Sequence, residues 1–458
     1  MSFPYPWFQL QFTKDAAIFN PAELTSLLNA VTAADAPTDL FVLSHGWNNN
    51  ITDATDLYTQ LTTLFKAQID ANPALASRKY AICGILWPSK KFEDADLIPS
   101  GAASLNDAVT PEHLKARVAD LASLLGNDGS PETAELASLM DSIEDDPAAQ
   151  LRAVDLLRSM LPTTHTSTDD ASDRFFSMKN TSLVQRLSKP LNPPPVVPHG
   201  TGAASIDPFS TGTMSGLGGA AGFRDVLGGI KSGFLQALNY STYYIMKGRA
   251  GDVGAKGVEP VLVKLRDARP DLRIHMIGHS FGCRVTAAAL NALPDGEKYR
   301  VDTVLLLQGA FSHNGFANAG GEVERGAFRD VIEKQKVRGP ILITHTRNDK
   351  AVGIAYPTAS RLSGVVAASL GDENDIYGGL GSNGTQTGSS TPERVMATLL
   401  PVGQTYAFAT GVKASTPCNL KSDTYIHGHS DICKPEVAYL MAIGMGMPRQ
   451  QEASAQGV

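Results

Sequence analysis

Runs of predominantly apolar residues constrain the fold of this chain more than any other feature. A strand that is apolar at consecutive positions must be buried on both faces, which is typical of a parallel sheet covered by helices. Segments with apolar residues at helical spacing lie between several of these runs, so the pattern predicts an α/β fold with a mostly parallel, doubly wound sheet. The runs are LFVLSHG (residues 40–46), YAICGILWP (80–88), LRIHMIGHS (272–280), VDTVLLLQGA (301–310) and GPILITHT (339–346).

Two further elements are predicted near the end of the chain. YAFATGV at residues 406–412 has the pattern of a weaker strand, and PEVAYLMAIGM that of a closing helix with Pro435 in its first turn.

Residues 93–188 interrupt the strand pattern. Three apolar stripes at helical spacing, and no strand signal, predict a helical insertion, and the part at 93–170 carries 16 acidic against 4 basic residues. Residues 189–222 are rich in Pro, Gly and Ser and are predicted to be a connector. An α/β core would then comprise residues 1–92 and 223–458.

Composition excludes several classes of protein. The formal net charge is −7, whereas nucleic-acid-binding domains are usually basic, so no nucleic-acid partner is expected. The first residues lack a secretory signal pattern and no apolar run could cross a bilayer, which predicts a soluble, cytoplasmic protein without an integral membrane segment. Four cysteines without CxxC spacing favour neither a disulfide framework nor a metal site, although Cys418 and Cys433 could pair in an oxidising compartment.

The pentapeptide GHSFG at residues 278–282 follows a predicted strand and begins a helical segment. This is the context of the G-x-S-x-G turn, which presents a nucleophilic serine, here Ser280. Gly278 and Gly282 would avoid side-chain collisions in this strained turn, where His279 takes the variable position. The Phe281 amide, at the helix start, would face a developing oxyanion. A plain strand-to-helix turn with chance glycines is the alternative.

A serine nucleophile needs a base, and the base needs an acid that fixes its tautomer. Asp349 follows the strand at 339–346 and is the predicted acid, although it could instead be a loop residue that caps a helix. His427 and His429 both lie in a loop before the last helix. His429 is preferred because it is nearer that helix and has Gly and Ser as neighbours, which leaves His427 as a pocket residue or an exposed histidine.

The segment Ser44-His45-Gly46-Trp47 follows an early strand, where the second half of an oxyanion hole is expected. The Trp47 amide is the predicted donor, and Gly46 would permit the turn. His45 is interpreted as structural rather than catalytic. The Trp47 ring could line an acyl pocket or belong to the core.

The order strand-HGW, strand-GHSFG-helix, strand-RND and late HGHSD resembles the α/β-hydrolase superfamily. TYYIMKGRAGDVGAKGV and GHSFGCRV are similar to a group of bacterial serine esterase-like hydrolases, and the resemblance covers residues 40–90, 240–350 and 400–447. It implies an α/β-hydrolase fold with Ser280 as nucleophile, Asp349 as acid, His429 as base, and Trp47 and Phe281 as oxyanion donors. The insertion and the connector lie outside it.

The expected reaction is hydrolysis of a small carboxylic ester through an acyl-enzyme, without a metal or an organic cofactor. The acidic insertion is in the natural place for a lid and would disfavour anionic substrates, so neutral, apolar esters of short or medium chain length are expected. Lipase, thioesterase, amidase and acyltransferase reactions can use the same residues. A non-catalytic interaction scaffold is a further alternative.

Overall fold

The computed structural model describes residues 2–89, 109–188, 229–320, 323–349, 376–386 and 393–447. These residues fall into two compact units. The first comprises the described parts of Met1–Lys90, Lys247–Val352 and Gly379–Val458, and the second those of Lys91–Met246 and Gly353–Gly378. The predicted boundary at 92/93 and the connector at 189–222 lie outside the described residues, so the predicted domain limits stay predictions.

A sheet of eight strands organises the first unit. The strands are β1 (Trp7–Gln11), β2 (Asp39–Ser44), β3 (Tyr80–Leu86), β4 (Arg273–His279), β5 (Thr303–Leu307), β6 (Ile341–His345), β7 (Val395–Thr398) and β8 (Pro417–Lys421). Their order across the sheet is β1-β3-β2-β4-β5-β6-β8-β7, and all seven neighbouring pairs are parallel. The prediction of an α/β fold with a mostly parallel sheet is confirmed.

The interior strands are buried on both faces, as their apolar sequences require. Every residue of β2, β3, β5 and β6 is buried, and β4 is buried except at Arg273. The edge strands β1 and β7 are partly exposed, and in β7 half-buried residues alternate with exposed ones.

Helices cover the sheet and also form the second unit. In chain order they are α1 (Pro21–Thr32), α2 (Ile51–Asp70), α3 (Pro73–Ala76), α4 (Pro111–Leu125), α5 (Pro131–Leu139), α6 (Pro147–Met160), α7 (Ser172–Ser177), α8 (Asn180–Leu187), α9 (Ile230–Asp252), α10 (Glu259–Ala268), α11 (Phe281–Ala292), α12 (Asp330–Glu333), α13 (Leu380–Asn383) and α14 (Pro435–Gly446). A π-helical turn, Val253–Val258, joins α9 to α10. Against the sheet, α2 and α14 form one packed group, and α1, α10 and α11 form another.

Three helices of the second unit begin with the same local signal. In each, a Ser, Thr or Asp side chain accepts a hydrogen bond from a backbone N–H of the first turn, and a proline occupies the first helical position, where no intrahelical N–H bond is lost. The cap and proline pairs are Thr110 and Pro111 in α4, Ser130 and Pro131 in α5, and Asp146 and Pro147 in α6. The unit also has buried aromatic residues, among them Phe175 and Tyr240, whose ring centroids are 5.4 Å apart.

The predicted strand at 406–412 is wrong. Residues Ala407–Thr410 form a 3-10 turn whose apolar side chain Phe408 joins the core. A short apolar segment of this kind has the same burial signal as a strand, and only its hydrogen bonding distinguishes the two. The sheet is completed instead by β7 and β8, whose sequences VMAT and PCNLK are short and only partly apolar.

Among the described residues, no helix combines the length and apolar character that a membrane span requires. Cys418 and Cys433 are both free thiols.

Candidate active site

The predicted catalytic residues lie at one edge of the sheet. The loop His45–Trp47 follows β2, Ser280 follows β4, Asp349 follows β6, and His429 lies between β8 and α14. Because all neighbouring strands are parallel, their carboxyl ends meet at the same edge, which is where open α/β sheets bind ligands.

Ser280 has an unusual backbone conformation at the turn from β4 into α11. Its φ of 56° and ψ of −124° are uncommon for a residue with a side chain. Backbone hydrogen bonds hold this conformation from the neighbouring strand: the Ser280 N–H donates to the Leu307 carbonyl at 3.1 Å, and the Ala310 N–H donates to the Ser280 carbonyl at 3.1 Å. Hydrogen bonds with the segment at the end of β5 therefore hold the turn in place.

The two glycines of the GHSFG motif lie in close backbone contacts. A Cβ atom on Gly278 would be 2.5 Å from the Gly282 carbonyl oxygen, and one on Gly282 would be 2.0 Å from the Ser44 carbonyl oxygen. Both distances are far below van der Waals contact. Any side chain at either position would force the helix away from the strand.

The loop after β2 lies directly against the serine. A Cβ atom on Gly46 would be 2.6 Å from the Ser280 Cβ and 3.1 Å from its Oγ, so the backbone of the loop contacts this side chain. Phe281 is the first residue of α11, and its ring meets the half-buried Trp47 ring edge to face at 6.1 Å between centroids. Both predicted oxyanion residues thus adjoin Ser280 in the chain or in space.

His45 is buried in the base of this loop. Its Nδ1 lies 2.9 Å from the Gly46 carbonyl, so Nδ1 carries the proton, and Nε2 accepts the Trp87 N–H at 3.3 Å. The ring stacks on Trp87 at 5.6 Å. Burial lowers the pKa of His45 to about 4, so the ring is neutral at physiological pH. Its two nitrogens hydrogen-bond to Gly46 and Trp87 and hold the turn in place.

Asp349 and His429, which are 80 residues apart in the sequence, form a buried pair. The His429 Nδ1 lies 3.0 Å from Asp349 Oδ1 and 2.9 Å from Oδ2. An ionised carboxylate only accepts hydrogen bonds, so Nδ1 must carry the imidazole proton. In the neutral ring, Nε2 is then the basic nitrogen.

His279 connects this pair to the serine turn. Its Nε2 donates to the carbonyl oxygen of His429 at 3.0 Å, and the two rings are 5.1 Å apart. Burial, and then the neighbouring His429 ring, lower the pKa of His279 to about 3, so its ring is neutral at physiological pH. The residue before Ser280 therefore holds the backbone of His429.

His427 has a different environment. Its side chain is exposed, and its backbone N–H donates to Asp431 Oδ2 at 3.1 Å. Asp349 hydrogen-bonds His429 and not His427. Of the two histidines in the loop, only His429 shares the buried carboxylate.

No protein-family model, curated protein or solved structure matches this chain. The resemblance to α/β-hydrolases therefore stays a prediction.

Gln308 is a member of the site that the sequence reasoning missed. It follows β5, is fully buried, and donates from Nε2 to Asp349 Oδ2 at 3.2 Å and to the Gly381 carbonyl at 3.1 Å. The sequence signal that could have identified Gln308 is a polar residue at the end of the otherwise apolar run VLLLQG. A polar side chain that is buried there requires hydrogen-bond partners.

Within the part of the chain that the structure describes, no group of three or more His, Cys, Asp or Glu side chains has the arrangement of a metal site. The side chains at this edge of the sheet include the Ser280 hydroxyl, the His429 imidazole and the Asp349 carboxylate.

Proposed function

We propose that this protein is a serine hydrolase that cleaves carboxylic esters through an acyl-enzyme intermediate. One observation carries the proposal: a buried Asp349–His429 pair, with 2.9 Å between Oδ2 and Nδ1, is hydrogen-bonded through His279 to the strained turn that holds Ser280. A structural histidine–aspartate pair has no need of an adjacent serine held at a φ of 56°. Backbone strain of this kind is concentrated at functional sites.

The mechanism assigns one role to each group. The Nε2 of His429 takes the Ser280 hydroxyl proton while Oγ attacks the ester carbonyl carbon, and Asp349 stabilises the resulting imidazolium. The tetrahedral intermediate collapses by breaking the bond to the alcohol oxygen, which receives the proton from His429. Water then adds to the acyl-enzyme by the same route, releases the acid and restores Ser280. The amides of Trp47 and Phe281 are proposed to hold the oxyanion in both steps.

The fold and the chain order of the site support an α/β-hydrolase assignment within this proposal. The serine lies on a strand-to-helix turn, and the three groups follow in the order Ser280, Asp349, His429, as in that superfamily. The acidic helical segment lies in the chain between β3 and β4, and we propose that it acts as a lid. Its 16 acidic against 4 basic residues over 93–170 would disfavour anionic substrates.

Hydrolysis of p-nitrophenyl esters from acetate to palmitate tests the proposal. We expect turnover by the wild type with a chain-length optimum, and a fall in kcat of roughly 10³-fold or more in Ser280→Ala and in His429→Ala. His427→Ala is the matched control, because it removes an exposed ring from the same loop, and its kcat should stay within about twofold of wild type.

A covalent fluorophosphonate probe separates the alternative functions. Labelling of Ser280 without ester turnover would indicate a thioester or amide substrate for the same residues. A folded protein that neither labels nor hydrolyses any ester would be an interaction scaffold, and the proposal would then be wrong. Activity that rises sharply only above the solubility limit of the substrate would identify a lipase.

A further inference from the structure

We propose that Gln308 is a positioning residue of the active site, which fixes the Asp349 carboxylate and through it the tautomer and orientation of His429. This inference rests on the proposed function for its meaning, but it is argued from contacts of its own. Both oxygens of the carboxylate lie within hydrogen-bonding distance of the His429 Nδ1. A second, fixed donor determines which way it faces.

The orientation of the Gln308 amide follows from its partners. Gln308 donates its backbone N–H to the Thr344 Oγ1 at 3.3 Å, so the Thr344 hydroxyl proton is available for Gln308 Oε1, 3.1 Å away. On the other side of the amide, the Asp349 carboxylate and the Gly381 carbonyl are both acceptors, at 3.2 Å and 3.1 Å. Only one assignment of the amide nitrogen and oxygen satisfies all four contacts, and it aims an N–H at Asp349.

The amide is also held rigidly. Gln308 and Thr344 are both fully buried, and they follow or belong to the neighbouring strands β5 and β6. Gln308 has a φ of 49°, a conformation that costs about 1 kcal/mol or more for a residue with a side chain. The buried hydrogen bonds of Gln308, among them the one to Asp349, help to offset this cost.

Neighbouring backbone atoms restrict the orientations that the Asp349 carboxylate can take. A Cβ atom on Gly381 would lie 2.7 Å from Asp349 Oδ2, so the backbone of α13 contacts this oxygen on the side from which Gln308 donates. Both carboxylate oxygens face the His429 Nδ1, at 3.0 Å and 2.9 Å. The Gln308 N–H adds a fixed donor beside this two-oxygen contact.

Glutamine suits this position chemically because it is a neutral donor. A hydrogen bond to an ionised carboxylate stabilises the charge that the imidazolium of the proposed reaction needs. A cationic donor would compete with His429 for the same carboxylate, and a second carboxylate would repel it. The amide therefore orients Asp349 without cancelling its charge.

The test combines a signal that needs no substrate with a kinetic one. The His429 Nδ1 proton, shared with a buried carboxylate, should give a low-field 1H NMR resonance, assigned by its loss in His429→Ala. In Gln308→Met, which removes the donor at similar size, we expect this resonance to shift and broaden. We also expect kcat on the best ester to fall about 10- to 100-fold at nearly unchanged KM.

Gln335→Met is the matched control. Gln335 also has a φ of 49°, but it is exposed and accepts a hydrogen bond from Arg300 at 3.2 Å. Its substitution repeats the change of residue type at the same φ, away from the site. Both the resonance and kcat should remain as in the wild type.

Gln308→Glu keeps the oxygen that accepts the Thr344 hydroxyl and replaces only the donor. It is measured as well, so that poor folding of Gln308→Met does not decide the outcome. A wild-type resonance and kcat in both Gln308 variants would overturn the inference, as would equal losses in Gln335→Met. Absence of ester turnover in the wild type would instead count against the proposed function, while the resonance would still test the role of Gln308.

Discussion

Ser280 and Gly46 meet in a close contact of the site, and its geometry decides which residue each position can carry. The backbone at Ser280 lies in a region that costs about 1–3 kcal/mol, which its hydrogen bonds with Leu307, at the end of β5, and with Ala310 help to offset. Gly46 has no side chain where a Cβ would lie 2.6 Å from the Ser280 Cβ. The two residues can meet only because one of them lacks a Cβ.

Gly46→Ala tests this contact at the scale of a single atom. The added methyl group cannot move away without shifting either the Ser280 turn or the His45 loop, because it would also lie 3.3 Å from the His279 carbonyl oxygen. We expect fluorophosphonate labelling and kcat to fall about 100-fold or more, while circular dichroism shows a folded protein.

Gly411→Ala serves as the control for that substitution. Gly411 is exposed, and no atom lies within 4 Å of the position its Cβ would take. Labelling at the wild-type rate in Gly46→Ala would show that the loop moves aside easily. The contact between Gly46 and Ser280 would then not be rigid.

At the scale of the elements, a buried charge cluster joins strands at the amino edge of the sheet, opposite the site. Asp39, the first residue of β2, lies 2.9 Å from the His275 Nε2 on β4 and 3.1 Å from the Arg78 Nη1, just before β3. Thr38 donates to the same carboxylate at 2.6 Å. Asp39 therefore links the neighbouring strands β2, β3 and β4. The opposite ends of these strands lie at the edge of the sheet where Ser280 is positioned.

Asp39→Asn should destabilise the protein by about 3 kcal/mol at pH 7, because it removes the buried carboxylate charge that Arg78 and His275 contact. Burial acts to raise the pKa of Asp39, but the hydrogen bond and charge of His275, then Thr38 and Arg78, outweigh it, so the pKa is lowered. A lowered pKa stabilises the fold above the value of the unfolded chain, and this contribution disappears as the pH falls through the folded value.

Urea unfolding of the wild type and Asp39→Asn at several pH values measures this effect. The difference in the free energy of unfolding should be largest near neutral pH and shrink in acid. Asp271→Asn is the control, because Asp271 is 70% exposed in its ion pair with Arg269 and should change stability by less than about 1 kcal/mol. An equal loss in both variants would contradict the role of the cluster.

At the scale of the whole molecule, three buried histidines link folding to pH. Burial lowers the pKa of His45 and of His345 to about 4 and, with the nearby His429 ring, that of His279 to about 3. The unfolded chain protonates these rings near pH 6.5, so between about pH 6.5 and 4 it binds more protons than the folded protein. Stability should therefore be complete above pH 6.5 and fall with acid.

The expected slope is about 1.4 kcal/mol per pH unit for each proton, or roughly 4 kcal/mol per unit near pH 5 for the three histidines. Thermal or urea unfolding between pH 7.5 and 5 provides the measurement. His427→Gln, at an exposed position, should leave the slope unchanged. A stability that stays flat over this range would mean that the three rings are not kept neutral by the fold.

Several features of this protein follow from its sequence alone. The apolar runs from residue 40 to 346 predict five of the six interior strands, because a strand buried on both faces has no polar alternation. The glycines around Ser280 indicate the turn from strand to helix, and Pro435 marks the start of α14. Each of these signals acts over a few residues, which is the range over which sequence determines backbone conformation directly.

The tertiary structure decided which distant side chains meet. His427 and His429 are nearly equivalent in sequence, yet only His429 reaches the Asp349 carboxylate. Gln308 joins that pair because the order of the sheet places β5 beside β6, and β7 and β8 complete the sheet with short, partly polar strands that carry little signal of their own. Local patterns encode burial and turns, whereas contacts between segments depend on strand order and register, which no single segment contains.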